Sequence, residues 1–270
     1  MAAPTLPVCN ALWVGAALGP IEAACLSSFV EAGHPVDLHV YDEPSGVPAE
    51  VNVVDAALTL PRDQLIRHRA TGSVSLASNR FRYALMAAGA GLWIDCDVLC
   101  LRSVADAPCI FGREDERNVN GAVLKLPADH PMLGDLTRAF VEPRWIPPWA
   151  SRRQRLRYGL RYLVQPGFGI ADMSWGSAGP KALTWYLRQH GLAGLASPKE
   201  VFYPVGPHET ALLTGSDVAP LRARLTPQTA CIHLWNKSLS QAEPAVPGSF
   251  LSRIADGSWR SAIGHPAGSA

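Results

Sequence analysis

The chain has 270 residues, enough for one large α/β domain or two small ones with a substantial core. Apolar residues make up 48% and charged residues 17%, a globular composition, and a net charge of +1 with no nucleic-acid motif gives no reason to expect a nucleic-acid partner. No stretch approaches the ~20 uninterrupted apolar residues of a membrane span, and residues 1–8, with Pro4 and Pro7 and no basic side chain, do not read as a secretory signal, so a cytoplasmic protein is expected.

In chain order, residues 11–15 (A-L-W-V-G) read as a first strand. Residues 21–31 carry helical spacing, with Ala24, Leu26, Phe29 and Val30 on the apolar side and Gly33 as the stop. Residues 36–41 alternate as a second strand, and 51–58 read as a third. Strand, helix, strand, strand points to an open α/β sheet.

Residues 78–88 are predicted as a helix, with Ser78 as N-cap and Gly89 as the stop. Residues 91–101 (G-L-W-I-D-C-D-V-L-C-L) read as one central strand broken only in character by its two aspartates. A strand over 121–126 and a helix over 132–140 follow. The next stretch holds Trp145, Trp149, three prolines and then Arg152, Arg153, Arg155, Arg157 and Arg161. Residues 180–190 form a helix with proline in its first turn, and 230–235 a short late strand. From Gln241 onward Pro, Gly, Ser and Ala dominate, which predicts a loose, partly flexible segment over 241–270. The cysteines (Cys9, Cys25, Cys96, Cys100, Cys109, Cys231) show no zinc-type pairing and read as buried free thiols.

The chemistry centres on Asp95 and Asp97. Two apart on a strand, their side chains would share a face, and two such carboxylates repel unless a cation neutralises them. Carboxylate oxygens suit Mg²⁺ or Mn²⁺, and ligands of open α/β sheets sit at the carboxyl ends of strands. A metal there could hold a diphosphate as it leaves. Asn79 and Arg82 share one helix face, so Arg82 could pair with Asp95 or reach a phosphate or a sugar hydroxyl. His233, in Cys231-Ile-His-Leu-Trp-Asn-Lys237, is either a core histidine or a third ligand.

Together these segments resemble a known family. Ser78-Asn-Arg-Phe-Arg-Tyr83 followed by Gly89-Ala-Gly-Leu-Trp-Ile-Asp-Cys-Asp-Val-Leu-Cys-Leu101 resembles the S-D-x-x-R-Y … G-G-x-Y-x-D-x-D-V block of DXD-type retaining glycosyltransferases. That group includes α-1,4-galactosyl- and N-acetylglucosaminyltransferases, initiating α-1,6-mannosyltransferases and bacterial surface-polysaccharide enzymes. Leu12-Trp-Val-Gly15, Ser28-Phe-Val-Glu-Ala-Gly-His34, Ser177-Ala-Gly-Pro180 and His233-Leu-Trp235 match further family segments in order, over roughly residues 10 to 240.

The resemblance implies a GT-A fold: a Rossmann-like, nucleotide-diphospho-sugar-binding mixed α/β sheet flanked by helices. One domain over 1–240 is expected, with a nucleotide-binding half near 8–126 and an acceptor-binding half near 127–240. It implies Mn²⁺ (or Mg²⁺) held by Asp97 and His233, with Asp95 on the metal or the donor sugar. It places Trp13 and Gly15 at the donor, Trp13 against the nucleobase. Arg82 and Asn79 would contact the donor, with Trp235 near its diphosphate and Asn236 and Lys237 as weaker phosphate candidates. Asp95, Arg82 and Asn79 are the candidate catalytic residues. The family usually carries aspartate where this chain has Asn79, so donor preference or rate is expected to differ.

The expected reaction moves a hexose or N-acetylhexosamine from a UDP-linked sugar to a glycan or glycolipid hydroxyl, with retention. Gln165 and Asp172 are candidates for any side-chain nucleophile. The arginine segment reads either as a basic helix on anionic membrane, on the cytoplasmic face, or as a solvated helix or mobile lid. Trp145 and Trp149 either stack on acceptor sugars or pack between prolines. Two rival readings stand beside this one. Haloacid-dehalogenase-like phosphatases also end a strand in D-x-D, though usually near the chain start and with Thr or Val four residues on, where this chain has Leu99. The other is a non-catalytic nucleotide-sugar-binding scaffold.

Overall fold

The computed structural model describes residues 5–174 and 176–264. Residues 1–4, residue 175 and residues 265–270 of the expected loose tail lie outside it.

The first half alternates as the sequence predicts. β1 (Cys9–Trp13) runs into α1 (Pro20–Glu31), which starts on a proline at its first turn and ends before Gly33, at φ +91°. β2 (Val36–Val40) and β3 (Asn52–Asp55) follow. β3 is shorter than expected, because the Asp55 side chain accepts the Ala57 N–H and turns residues 56–58 into a 3₁₀ helix.

α2 (Ser75–Ala87) begins one turn before the predicted start. Ser78 is therefore inside the helix rather than its N-cap, and its hydroxyl instead accepts from Arg82 Nη2 at 3.2 Å. The expected single strand over 91–101 is two strands in two sheets: β4 (Leu92–Ile94) and β5 (Val98–Cys100), separated by a turn at Cys96 and Asp97. The cause is competition for partners. Asp95 N–H is still held by Ala122 O at 2.8 Å in the main sheet, but Leu101 N–H bonds Ala230 O at 2.8 Å elsewhere.

β6 (Ile110–Arg113), which no periodicity announced, pairs antiparallel with β7 (Val119–Lys125) through an irregular register. Then come α3 (Met132–Val141), α4 (Arg152–Val164) and α5 (Pro180–Gln189). Short helices α6 (Lys199–Phe202), α7 (Ala211–Thr214) and α8 (Ala219–Arg222) lead to β8 (Cys231–His233) and α9 (Asn236–Leu239). The loose segment expected from 241 holds two more helices, α10 (Phe250–Ala255) and α11 (Trp259–Ile263). Ser249 caps α10 by accepting Ser252 N–H, and Phe250, Ile254 and Trp259 are buried with Leu99 and Ile232. Pro and Gly mark the turns there, and the few apolar residues between them are core.

The main sheet has the order β3-β2-β1-β4-β7-β6; β3, β2, β1 and β4 are parallel and β7 is antiparallel to β4. This is a mixed α/β sheet flanked by helices, the Rossmann-like arrangement of GT-A proteins. β4 shows how both faces are covered. Leu92 and Ile94 join a cluster with Leu26 and Phe29 of α1, while Trp93 joins Phe81 and Leu85 of α2 and Leu183 of α5. Burying each large side chain of this kind contributes about 1.5–3 kcal/mol. The chain runs outward from β1 to β3, then returns to β4 on β1's other side. That reversal makes the carboxyl ends of β1 and β4 the topological switch point, where open α/β sheets bind ligands. Trp13 ends β1, and Asp95 follows β4.

Candidate metal centre

The short β5–β8 ladder builds one side of the site. Its register pairs Val98 with His233, and Leu234 N–H donates to Asp97 O at 2.8 Å. Asp97, one residue before β5, is thereby set beside His233, with Oδ1 3.2 Å from Nε2. Its other oxygen, Oδ2, accepts the Asn236 backbone N–H at 2.9 Å. That N–H is aimed by Trp235, which adopts left-handed backbone at φ 62°, the one non-glycine residue with positive φ among the described residues. Such strain concentrates at functional sites. The Trp235 ring lies over His233 with centroids 4.0 Å apart, and its Nε1 donates to Val205 O at 2.9 Å.

Asp95 is held from the other side. Arg82 Nη2 donates to Asp95 Oδ1 at 2.8 Å and Trp93 Nε1 donates to the same oxygen at 2.7 Å. Arg82 is itself buried, bonds Gly121 O through Nη1, and lies 4.9 Å from the Trp93 ring. The expectation that Asp95 and Asp97 share a strand face fails, since both lie in the break between β4 and β5. The turn nevertheless brings them together: one ligand atom from each of Asp95, Asp97 and His233 lies within 4.8 Å of the other two. Cys96 faces away, its Sγ donating to Leu12 O at 3.6 Å. Burial, then the charges of Asp95 and Asp97, push its thiol well above the usual range, and Cys96 is not in the cluster that Asp95, Asp97 and His233 form.

Electrostatics pairs Asp97 with His233. Burial alone would raise the Asp97 carboxyl, but the His233 charge and hydrogen bond, with the Asn236 N–H, outweigh it and hold the group below the usual carboxylate range. For His233, burial would lower the imidazole, yet Asp97, with help from Asp95, raises it. Two carboxylates and an imidazole are a donor set suited to a divalent ion such as Mn²⁺ or Mg²⁺. The second imidazole nitrogen, Nδ1, is buried with no hydrogen-bond partner among the described residues. The usual outer partner of a ligating histidine is thus absent there, and Asp97 and the Trp235 ring fix the imidazole plane.

The other predicted residues are spread around this centre. Trp13 and Gly15 line a cleft of about 320 Å³ with Tyr41, Asp42, Arg62 and Arg67. Trp13 follows Leu12, whose carbonyl takes the Cys96 thiol. Asn79 is buried and packs against Gly179, where a Cβ would come within 2.9 Å of Asn79 Nδ2. Lys237 lies in the first turn of α9. Asp172 already bonds Arg69 at 2.6 Å and Gly169 N–H at 3.0 Å, and Gln165 accepts from Arg161 at 2.9 Å. Trp145 is buried beside Tyr158 and Phe168, which removes it as an acceptor platform, and Trp149 is ringed by Trp145, Trp185 and Tyr186. Glu22, which the sequence did not single out, accepts Asn236 Nδ2 at 2.7 Å and so steadies the residue whose N–H holds Asp97. Nothing in its local sequence signals this, because Asn236 is remote along the chain.

No known family profile and no curated protein matches this chain. Among solved structures, it is similar to one titled "PaToxG Glycosyltransferase", with a TM-score of 0.40 and 12% identity over 97% of this chain and 87% of that one. The likeness is distant; the fold described above rests on strand order. Among the described residues, no helix is long and apolar enough to cross a membrane.

Proposed function

We propose that the protein is a metal-dependent retaining glycosyltransferase that moves a hexose or N-acetylhexosamine from a UDP-linked sugar to a glycan or glycolipid hydroxyl. The observation that carries this reading is the convergence of Asp95, Asp97 and His233 at the switch point between β1 and β4. The sequence resemblance to DXD-type enzymes supports the same reading independently of the coordinates.

On this reading, Asp97 and His233 would hold Mn²⁺ or Mg²⁺, which would neutralise the departing diphosphate. Asp95 would complete the set; Arg82 and Trp93 bond its Oδ1, and neither bonds Oδ2. Arg82 orients that carboxylate through the 2.8 Å bond to Oδ1. Trp13 and Gly15, beside Arg62 and Arg67, form the nucleotide cleft, with Asn79 toward the donor sugar and Trp235 and Lys237 toward the phosphates. Rate then comes from positioning and fixed charge.

The test is thermal unfolding with UDP, UDP-sugars and GDP-sugars, each with and without Mn²⁺. A ligand at 100 times its Kd stabilises the native state by about 2.7 kcal/mol. A metal-dependent rise in Tm with a uridine nucleotide, absent in Asp97→Ala, is expected. No shift with any nucleotide overturns the donor assignment. Donor binding without turnover on any acceptor supports the scaffold alternative, and an inverted anomer in early NMR spectra of the product rules out retention.

A further inference from the structure

Helix α4 is amphipathic in the wrong direction for a soluble protein. Its Ser151 and Gln154 form a reciprocal capping box, so the helix is well started. Its core contacts come from Tyr158, stacked near Phe168, and Tyr162, whose hydroxyl donates to Trp145 O at 2.6 Å. At about 100° per residue, Leu156, Leu160 and Leu163 form one stripe on the opposite side, with Val164 beside it. These four are 77%, 57%, 74% and 69% exposed. Exposed leucines in a continuous stripe mark an interaction surface rather than ordinary surface composition.

Charge says what covers it. Between Glu142 and Asp172 there is no acidic residue, while Arg144, Arg152, Arg153, Arg155, Arg157 and Arg161 are all basic. Arg152, Arg153 and Arg155 crowd the first turns, where cations oppose the helix dipole and weaken the helix. They are not placed there for helix stability. Arg144, Arg152, Arg153 and Arg157 form no ion pair among the described residues. Beside the stripe runs an apolar groove of about 410 Å³, with Ile146, Arg144 and Arg155 among its lining residues. Apolar area to enter the acyl boundary, and unpaired guanidiniums around a positive helix end to meet phosphates, fit a single partner chemistry.

We propose that α4 lies flat on an anionic lipid bilayer, with Leu156, Leu160 and Leu163 inserted and Arg152, Arg153 and Arg157 on the headgroup phosphates. This surface is independent of the metal centre, so it stands or falls apart from the enzymatic reading. The charge is one-signed; a second copy would bring like charges together, which makes self-association the weaker occupant.

Co-sedimentation of the full chain with phosphatidylcholine vesicles, with and without phosphatidylglycerol, at low and high salt, tests it. Binding to the anionic vesicles alone, weakened by salt, is expected. The triple variant Leu156→Gln, Leu160→Gln, Leu163→Gln is expected to stay in the supernatant. Arg152→Gln, Arg153→Gln, Arg157→Gln together are expected to lower partitioning on the order of 100-fold, at roughly fivefold per charge. All six side chains are exposed, so both variants should keep the parent's thermal unfolding curve. Equal binding to neutral vesicles, or no binding to anionic ones, overturns the proposal. So does a concentration-dependent dimer in sedimentation equilibrium that the leucine variant abolishes while vesicles bind nothing.

Discussion

Arg82 reaches Asp95 from a pocket that leaves 9% of its side chain exposed, and the bond is 2.8 Å long. The same guanidinium ties α2 to β7 through Gly121 O and to its own helix through Ser78. Removing it leaves a largely buried carboxylate and a buried carbonyl without their cationic donor. Arg82→Ala is expected to cost about 3 kcal/mol in urea unfolding, in the range for breaking one side of a buried pair. Arg82→Lys keeps the charge but cannot serve Gly121 O and Asp95 at once, and about 1–3 kcal/mol is expected. An unchanged midpoint for Arg82→Ala would show that the pair is incidental to the fold.

Asp97 is the carboxylate that both halves of the site share: His233 on one oxygen, the Asn236 N–H on the other. Asp97→Asn keeps an acceptor for Asn236 and removes the charge that a divalent ion needs. Mn²⁺ affinity, followed by EPR of the free ion, is expected to fall at least about 10-fold to 100-fold, the range for disturbing a metal's ligand shell. Unfolding in metal-free buffer should change by roughly 1 kcal/mol. Glu22→Gln keeps the Asn236 contact and should change little; Glu22→Ala releases Asn236 and should weaken Mn²⁺ by a smaller factor than Asp97→Asn. Equal Mn²⁺ binding by Asp97→Asn and the parent sinks the centre as drawn.

How much of this was legible in the sequence can be judged at the same residues. β1, β2 and α1 follow from local pattern, since alternation and helical spacing have one cheap solution each. The D-x-D pair is legible in the sequence, but a shared strand face is not what joins its carboxylates. Asp95 and Asp97 do not share a strand face; they meet because β5 leaves the main sheet to pair with β8. That choice depends on hydrogen bonds between segments more than 100 residues apart, which no window of sequence contains. The same holds for Glu22 on Asn236 and for the burial of Trp145. α10 and α11 were hidden because their composition resembles a loose tail, and only Leu99, Ile232 and Leu234 show what Phe250 and Trp259 pack on.

His34 gives the fold a pH limit. Val104 N–H donates to Nε2 at 3.0 Å, so Nδ1 carries the proton and donates to Pro7 O, also at 3.0 Å. A second proton would face the Val104 N–H. Burial lowers this imidazole, only partly offset by the Pro7 carbonyl, and burial lowers His39 as well. The unfolded chain then binds more protons than the folded one below about pH 6.5, the ordinary histidine value. The contribution of these two histidines is whole above that pH and falls as pH drops toward the lowered folded values, by at most about 1.4 kcal/mol per pH unit for each, while the raised His233 acts with the opposite sign above pH 6.5. Urea midpoints between pH 7.5 and pH 5 are expected to decline by roughly this slope. His34→Gln should be less stable at neutral pH but show a shallower decline. A parallel decline in the two proteins would assign the acid limit to other groups.

Gly91 controls where β4 begins, and so where Asp95 ends up. It sits at φ +112°, and a Cβ there would lie 2.5 Å from Val8 O, a backbone atom that also accepts Leu92 N–H at 2.8 Å. Gly89 has φ +67° but an open neighbourhood, its Cβ reaching only Ala128 at 3.7 Å. Ala90 between them has no positive φ, so a side chain there carries no left-handed strain. Gly89→Ala should therefore cost about 1–2 kcal/mol, the left-handed penalty alone. Gly91→Ala must also push β1 and β4 apart, and about 3 kcal/mol or more is expected. Because that separation moves the start of the strand leading to Asp95, Mn²⁺ binding should weaken in Gly91→Ala even where the protein remains folded, and stay normal in Gly89→Ala. Denaturant midpoints and Mn²⁺ titrations of the two variants decide it: equal losses of stability would mean the strands absorb the extra methyl without moving.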